Sequence, residues 1–404
     1  MTTSMLRAGG AILLGCALLL SPVTGAAQQA KVTLRTGILK VLPERLQPIS
    51  RMDEAPEDLG FAGAERGRDD NATTGRFLGH AYETVEAKAK AEDAVAALDA
   101  MLAEGVRAFV VMADAETLLA LADHAAEAAP EALIVNAQAR DTRLRSADCR
   151  ANVLHVAPSR AMLADGLAQY LMWKKWDAWM LVHGDAPGDV LMGEAYAAAG
   201  KKFGATIAET RVFEDTEGMR RSDSGHVLVQ RQIPVFMQRS PEHDIVVVAD
   251  ENELFGAYLP YRTWEARPVA GDAGLRVRSW HPSHESFGAT QLQRRFEKQA
   301  GRYMDDLDYQ AWLSERVLGE AVTRTGSSDP AALKEYILSD AFEIAGFKGQ
   351  ALTFRPWNHQ LRHGVLLADG RTVVTVSPQE EYLHQRTRLD TLGLDEPESD
   401  CDLN

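Results

Sequence analysis

Carboxylates and side-chain amides recur at the ends of the predicted strands, where a ligand would be bound. The apolar runs VRAFVVM, ALIVNA and IVVVA each lead into a polar segment. The candidate ligand-binding residues chosen on this basis are Asp114, Glu116, Asn136, Gln138, Asp250, Glu253 and Asp272. Several such oxygens facing one cleft would suit a hard cation, a hydroxyl-rich solute or a cationic solute. N-capping of the following helices is the alternative explanation for Asp114 and Asp250.

The densest polar cluster of the chain is the stretch DDNATTGR at residues 69–76. Its candidate ligand-binding residues are Asp70, Asn71, Thr74 and Arg76. The stretch resembles an oxygen-rich ligand loop, although it lacks the spacing and the closing glutamate of an EF-hand. A turn leading into a helix explains the same composition.

Tyr258 belongs to an aromatic series, with Phe255, Tyr261 and Trp264, that follows the IVVVA strand. The series could form an aromatic wall for a flat ligand, or pack in the core. The sequence contains no G-x-S-x-G, P-loop, H-E-x-x-H or G-x-G-x-x-G motif at the expected position. We therefore predict neither an enzyme nor a cofactor, and the identity of any metal stays open.

Short apolar strands alternate with helices along most of the chain, which is typical of an α/β fold with parallel sheets covered on both faces. Strands are predicted at 31–39, 106–112, 132–137, 178–183, 206–213 and 245–249, and the main helices at 84–104, 115–129, 159–174, 188–203, 285–303, 308–325 and 330–338. Asp369-Gly370 predicts the turn of a late hairpin. Two βα series predict two doubly wound lobes, which bind ligands at the carboxyl ends of their strands.

Residues 1–27 have the pattern of a cleaved export signal. Arg7 precedes an apolar run at 11–20, and small residues follow at 24–27. The net charge of −15 disfavours nucleic acid and anionic lipid as partners. Beyond the signal only Cys149 and Cys401 remain, and an oxidising compartment favours one disulfide between them over two free thiols.

The ordered set of segments resembles the periplasmic solute-binding proteins of branched-chain amino acid type ABC transporters. AEDAVAALDAMLAEGVRAFVV, VLHVAPSRAMLADGLAQYL and FKGQALTFRPWNHQLRHGVLL are among the segments that carry the resemblance. Stretches such as RDDNATTGRFLG, ELFGAYLPYRTW and VSPQEEYLHQRTRLDTLG are similar to the subfamily associated with PQQ-dependent alcohol dehydrogenase systems. The resemblance implies a type I two-lobe fold, periplasmic localisation and an ABC permease as partner.

The chain departs from the amino acid receptors of this class at two loops. Those receptors carry small and hydroxyl residues after strands one and two, whereas this chain has a long polar insert and then Asp114. A carboxylate there would repel an amino acid carboxylate. From this departure we predict a cationic or hydroxyl-rich ligand in preference to a leucine-like zwitterion.

Taken together, the predictions describe an exported receptor that captures a small solute by hinge closure. The crossings between lobes are expected near Pro158, Pro282 and Asp329. The alternative is a sensory or scaffolding subunit that binds periplasmic PQQ-dependent dehydrogenase components and has a degenerate pocket. The predicted division is a signal at 1–27, lobe 1 at 28–157 and 282–328, lobe 2 at 158–281 and 329–395, and an acidic tail at 396–404.

Overall fold

A computed structural model describes residues 31–43, 54–214 and 225–403 of the chain. The predicted export signal at 1–27 lies outside the described residues.

The first lobe is built on a five-stranded sheet in which every paired neighbour is parallel. The strand order is β2-β1-β3-β4-β5. The strands are β1 (Val32–Val41), β2 (His80–Ala89), β3 (Ala108–Met112), β4 (Leu133–Asn136) and β5 (Val153–His155). β3 and β4 are buried at every residue, as expected for strands with helices on both faces.

The second lobe is built on a seven-stranded sheet in the order β14-β13-β10-β9-β8-β6-β7. Its strands are β6 (Ala178–Gly184), β7 (Thr206–Phe213), β8 (Ile245–Ala249), β9 (Val269–Gly271), β10 (Leu275–Arg278), β13 (Val365–Ala368) and β14 (Val373–Ser377). β6 to β10 pair in parallel, whereas β13 and β14 form the antiparallel hairpin predicted around Asp369-Gly370. A separate two-stranded ribbon consists of β11 (Ile344–Ala345) and β12 (Ala351–Leu352).

Helices cover both faces of the two sheets. They are α1 (Phe61–Leu78), α2 (Ala94–Ala103), α3 (Ala115–Ala128), α4 (Arg160–Trp173), α5 (Pro187–Phe203), α6 (Gly225–Phe236), α7 (Leu259–Arg262), α8 (Ala289–Ala300), α9 (Asp306–Thr325) and α10 (Pro330–Ile337). The predicted α/β class with two doubly wound, mainly parallel lobes is confirmed.

One prediction for the first lobe is wrong. The helix predicted at 84–104 is the strand β2 followed by the shorter helix α2, because residues 80–89 pair in parallel with β1 along its whole length. The polar insert after the first strand contains an 18-residue helix, α1. A parallel partner for β1 requires such a crossover, since the chain must return to the opposite edge of the sheet.

The third crossing between the lobes lies later in the chain than predicted. Leu333 and Leu361 are buried in the core of lobe 1, whereas Val365 is buried in the core of lobe 2. Residues 329–361 therefore belong to lobe 1, and the crossing falls at 362–364 rather than near Asp329. The first crossing follows Val156, which is in the lobe 1 core, and the second follows Arg278, as predicted.

The predicted disulfide is present between Cys149 and Cys401, with a Cα–Cα distance of 5.6 Å. It fastens the C-terminal tail to the loop between β4 and β5 of lobe 1.

Glu315 is buried where α9 packs on α1 and β1. Its side chain is 1 % exposed, and one carboxylate oxygen has no hydrogen-bond partner among the described residues. Burial raises the pKa of Glu315 to about 8, although a hydrogen bond from the Thr36 side chain opposes this shift. The folded protein thus binds a proton here at neutral pH.

Glu315 is expected to make the protein less stable as the pH rises. Between the ordinary glutamate pKa of about 4.3 and the folded value of about 8, only the folded state keeps the proton, so the free energy of unfolding falls across this window. Urea unfolding at pH 5.5 and pH 8 measures this fall in the free energy of unfolding. Between these two pH values, the fall should be smaller in E315Q than in the wild type by at least about 1 kcal/mol. The exposed Glu127→Gln on α3 should behave like the wild type, and equal losses in E315Q and the wild type would contradict the assignment.

Candidate functional site

The candidate site is the cleft where the carboxyl edges of the two sheets meet. Asp141 follows β4 of lobe 1, and Glu251 follows β8 of lobe 2. Both pair with Arg160 at the start of α4: its guanidinium lies 2.7 Å from Asp141 Oδ2 and 2.6 Å from Glu251 Oε2. The three side chains are at most 19 % exposed. This ion cluster brings loops of both lobes together beside the first crossing.

A second ion pair joins the lobes beside the second crossing. Arg278, at the end of β10, lies 3.2 Å from Asp306 at the start of α9. The other oxygen of Asp306 accepts a hydrogen bond from the Trp280 backbone amide, at 2.7 Å. Glu253 is close enough for its charge to contribute to the raised pKa of Arg278. Glu253 is thus an exposed acid at the cleft, held on a turn with φ of +54°.

Asp250 builds the loop that follows β8 and does not present its carboxylate to a ligand. It is 4 % exposed, and its oxygens accept hydrogen bonds from the backbone amides of Leu254, Phe255 and Gly256 at 2.6–3.0 Å. A carboxylate with three backbone donors is satisfied within the turn. Asp250 is not the N-cap of a helix, since the next helical turn starts at Gly256 and has Phe255 as its N-cap. Its carboxylate instead holds the loop after β8 together.

Asp272 and Asp189 lie beneath the same loop. Asp272 accepts a hydrogen bond from the Asp250 amide at 2.8 Å, and Asp189 from the Asn252 amide at 2.9 Å. Burial, together with the neighbouring carboxylates, raises the pKa of each to about 7. Each can therefore donate or accept a hydrogen bond near neutral pH. Asp272 is partly exposed, whereas Asp189 is buried.

The lobe 1 acids predicted as ligands have other roles. Asp114 is the N-cap of α3, where its carboxylate accepts a hydrogen bond from the Thr117 amide at 2.8 Å. Glu116 is an exposed residue of the same helix and pairs with Arg143. The N-cap role is the alternative explanation named for Asp114 above, and it does not test the prediction of a cationic or hydroxyl-rich ligand.

Asn136 is fully buried and organises the turn after β4. Its side-chain oxygen accepts from the amides of Gln138 and Ala139, and its amide group donates to the Ala139 carbonyl at 2.8 Å. The side chain is thus saturated by the turn, and a ligand role is excluded by its burial. Gln138 is partly exposed just after β4, and its side chain makes no hydrogen bond with another described residue.

Arg140, which the sequence analysis did not select, is the cation of the lobe 1 cleft edge. Its backbone oxygen accepts from the Arg160 amide at 2.8 Å, which fixes it beside the first crossing. Its partly exposed guanidinium makes no ion pair with another described side chain. Its charge nevertheless acts on Asp272 of lobe 2, where it partly opposes the rise in the pKa of that carboxyl. The strand-end rule applies to Arg140 as well as to Gln138, but a selection restricted to oxygen ligands leaves an arginine out.

The cluster at residues 70–76 does not reach the cleft. Asp70 accepts from Trp312 Nε1 at 3.0 Å and pairs with Arg66, and Asn71 donates to the Glu315 carbonyl at 2.8 Å. Both therefore hold α1 against α9. Thr74 and Arg76 lie in the last turns of α1, which approach the amino edge of the sheet because β2 must start there, and both are exposed.

Tyr258 packs at the margin of a lobe 2 core cluster, in agreement with the core alternative. Among residues 31–43, 54–214 and 225–403, no group of three or more His, Cys, Asp or Glu side chains is arranged to hold a metal ion. The acids of lobe 2 are instead engaged with backbone amides or with Arg160.

Comparison with known proteins agrees with this architecture. A sequence profile described as periplasmic binding protein matches residues 69–219. No curated protein sequence matches the chain. None of the helices in the described ranges is both long enough and apolar enough to cross a bilayer.

Solved structures share the fold over almost their whole length. A branched-chain amino acid ABC transporter periplasmic ligand-binding protein from Burkholderia xenovorans superposes with a TM-score of 0.70 at 16 % identity, covering 92 % of this chain and 99 % of that one. A leucine-, isoleucine-, valine-, threonine- and alanine-binding protein from Brucella ovis, in a closed conformation, gives 0.68 at 14 % identity, with coverages of 92 % and 99 %. A solute-binding protein from R. palustris in complex with benzoate gives 0.64 at 12 % identity, with coverages of 92 % and 100 %. The chain therefore has the type I periplasmic binding protein fold.

Proposed function

We propose that this protein is an exported solute receptor that captures a small molecule between its lobes and delivers it to an ABC permease. The observation that supports this best is the cleft itself, where polar loops from the carboxyl edges of both sheets face each other beside three chain crossings. Such a site binds by lobe closure and leaves the solute chemically unchanged. The proposed location is the periplasm, after removal of the signal at 1–27.

The proposed ligand is a small carboxylate that also carries a hydroxyl or amine donor. The two lobes offer opposite polarity. Arg140 on lobe 1 makes no ion pair with any residue that the structure describes, whereas Asp272 on lobe 2 has a carboxyl that binds or releases a proton near pH 7. A guanidinium binds a carboxylate through two parallel hydrogen bonds, and Asp272 can meet the donor group. Benzoate and leucine, found with structural neighbours, are both carboxylates.

A connection with alcohol oxidation is the finer part of the proposal. It depends on the sequence segments that resemble the subfamily associated with PQQ-dependent alcohol dehydrogenase systems. The carboxylic acids formed by oxidation of alcohols have the chemistry that Arg140 would bind. The alternative is a sensory or scaffolding subunit with no ligand, which binds dehydrogenase components instead.

Ligand-dependent thermal stabilisation tests the receptor proposal. The panel comprises hydroxy acids, amino acids including leucine, benzoate, alcohols, aldehydes, PQQ, calcium and a lanthanide. A ligand at a hundredfold excess over its Kd should stabilise the protein by about 2.7 kcal/mol, because it binds only the folded state. We expect carboxylates to raise the Tm and to reduce the radius of gyration measured by solution scattering.

The scattering measurement separates the two functions. A compound that raises the Tm and compacts the protein supports the receptor. If no compound raises the Tm or compacts the protein, while the purified protein binds a PQQ-dependent dehydrogenase component, the scaffolding alternative replaces the receptor proposal. Stabilisation by metal ions alone would contradict the proposed ligand class but not the receptor function.

A further inference from the structure

Residues 389–401, named here the C-terminal strap, connect the two lobes in addition to the three chain crossings. Leu389 is buried in the core of lobe 1, and Leu392 is buried in the core of lobe 2. Only two residues separate these positions, so the strap passes between the lobes beside the hinge.

The middle of the strap is attached to lobe 2 by hydrogen bonds to α4 and α5. The Gly393 amide donates to Asp165 at 2.8 Å, and Lys202 donates to the Gly393 carbonyl at 3.0 Å and pairs with Asp165 at 2.9 Å. Gln169 donates to the Thr391 hydroxyl at 3.1 Å. Asp165 and Gln169 are both buried, which makes these contacts costly to break.

The same segment is attached to lobe 1 through Arg355. This guanidinium is 1 % exposed, lies 2.7 Å from Asp390 and donates to the Leu392 carbonyl at 2.7 Å. Arg355 belongs to the segment that runs beside β5, since Leu361 donates from its backbone to the His155 carbonyl at 2.8 Å. Neighbouring residues of the strap are therefore anchored on opposite lobes.

The far end of the strap returns to lobe 1 and is covalently closed. Ser399 Oγ donates to the Arg145 carbonyl at 2.9 Å, and the Asp400 amide donates to Ser146 Oγ at 3.0 Å. The disulfide to Cys149 follows at once.

We propose that the C-terminal strap limits how far the cleft opens. Consecutive Cα atoms are about 3.8 Å apart, so anchors on adjacent residues cannot separate by a wide hinge rotation without breaking contacts to one lobe. The disulfide holds the released segment near its sites, which raises its effective concentration for rebinding. This limit on opening does not depend on which ligand occupies the cleft.

The test uses the ligand-free protein, so that it does not depend on the proposed function. The double variant C149S/C401S is compared with the wild type and with S399A, which keeps the disulfide. We expect the double variant to have a larger radius of gyration in solution scattering. Amides of residues 389–394 should exchange hydrogen at least about tenfold faster, because local opening is no longer reversed by the covalent tether.

A chain that ends after Leu394 provides a second variant, because it removes the disulfide while keeping the Arg355 and Asp165 contacts. It should behave like the double variant, whereas S399A should behave like the wild type. If a cysteine variant does not fold, reduction of the folded wild type below its Tm gives the same readouts. An unchanged radius of gyration together with unchanged exchange at 389–394 would overturn the proposal.

Discussion

Replacement of Arg140 by alanine is expected to weaken binding of the carboxylate ligand by about 100-fold, the effect of losing a charge-assisted pair of hydrogen bonds worth up to about 3 kcal/mol. The guanidinium makes no ion pair with another described residue, so its removal leaves no buried partner unsatisfied. The Tm of the ligand-free protein should therefore change little. Titration calorimetry with the best ligand of the thermal panel measures the loss.

Two further variants show whether the loss of affinity is caused by removing the planar guanidinium of Arg140. Arg140→Lys keeps the charge but not the planar pair of donors, so we expect intermediate binding. Arg143→Ala is the matched control, because Arg143 lies on the same loop but pairs with Asp148 at 2.6 Å. If R140A binds as tightly as R143A and the wild type, Arg140 is not the carboxylate anchor.

Gly63→Ala should destabilise the protein by about 3 kcal/mol or more, because overpacking against a backbone cannot be relieved by a side-chain rotation. An added Cβ at Gly63 on α1 would lie 2.0 Å from the Asp308 carbonyl oxygen on α9. The two helices would have to move apart along an interface that also contains Asn71, Trp312 and Glu315. Urea unfolding measures the change in the free energy of unfolding.

Gly370→Ala is the control for this substitution. A Cβ at Gly370 has no heavy atom within 4 Å, and the residue does not adopt a positive φ, so its effect should stay within about 0.5 kcal/mol. Equal stability of G63A and G370A would show that α1 and α9 do not pack as closely as described. Ligand affinity should change little in a folded G63A, since α1 packs away from the cleft.

The alternation of strands and helices could be determined from the sequence because it depends on local apolar runs. The strands at 206–213 and 245–249 have the predicted limits, and the helices α3, α4 and α5 agree within a residue or two. The cysteine count likewise led to the disulfide that the structure contains. These features need only nearest-neighbour patterning or an inventory of residue types.

The carboxyl-edge rule selected Gln138, Glu253 and Asp272 as ligand residues, and this role stays a prediction. It was not sufficient to show which of these side chains are free. Asp114, Asn136 and Asp250 follow strands in the same way, but each binds backbone amides of its own loop or helix end. Sequence spacing cannot separate a cap from a ligand residue, because both roles use the same acceptor atoms.

Only the tertiary structure decided the strand β2, the lobe to which residues 329–361 belong and the pairing of the arginines at the cleft. These three features depend on contacts between distant parts of the chain. β2 is a strand because β1 lies 48 positions earlier and pairs with it, which overrides the helical tendency of its alanines. Residues 329–361 belong to lobe 1 because Leu333 and Leu361 complete its core. Arg160 is paired because the folding of the two lobes brings Asp141 and Glu251 to its guanidinium. Arg140 makes no ion pair with a described residue, and its guanidinium is left at the cleft.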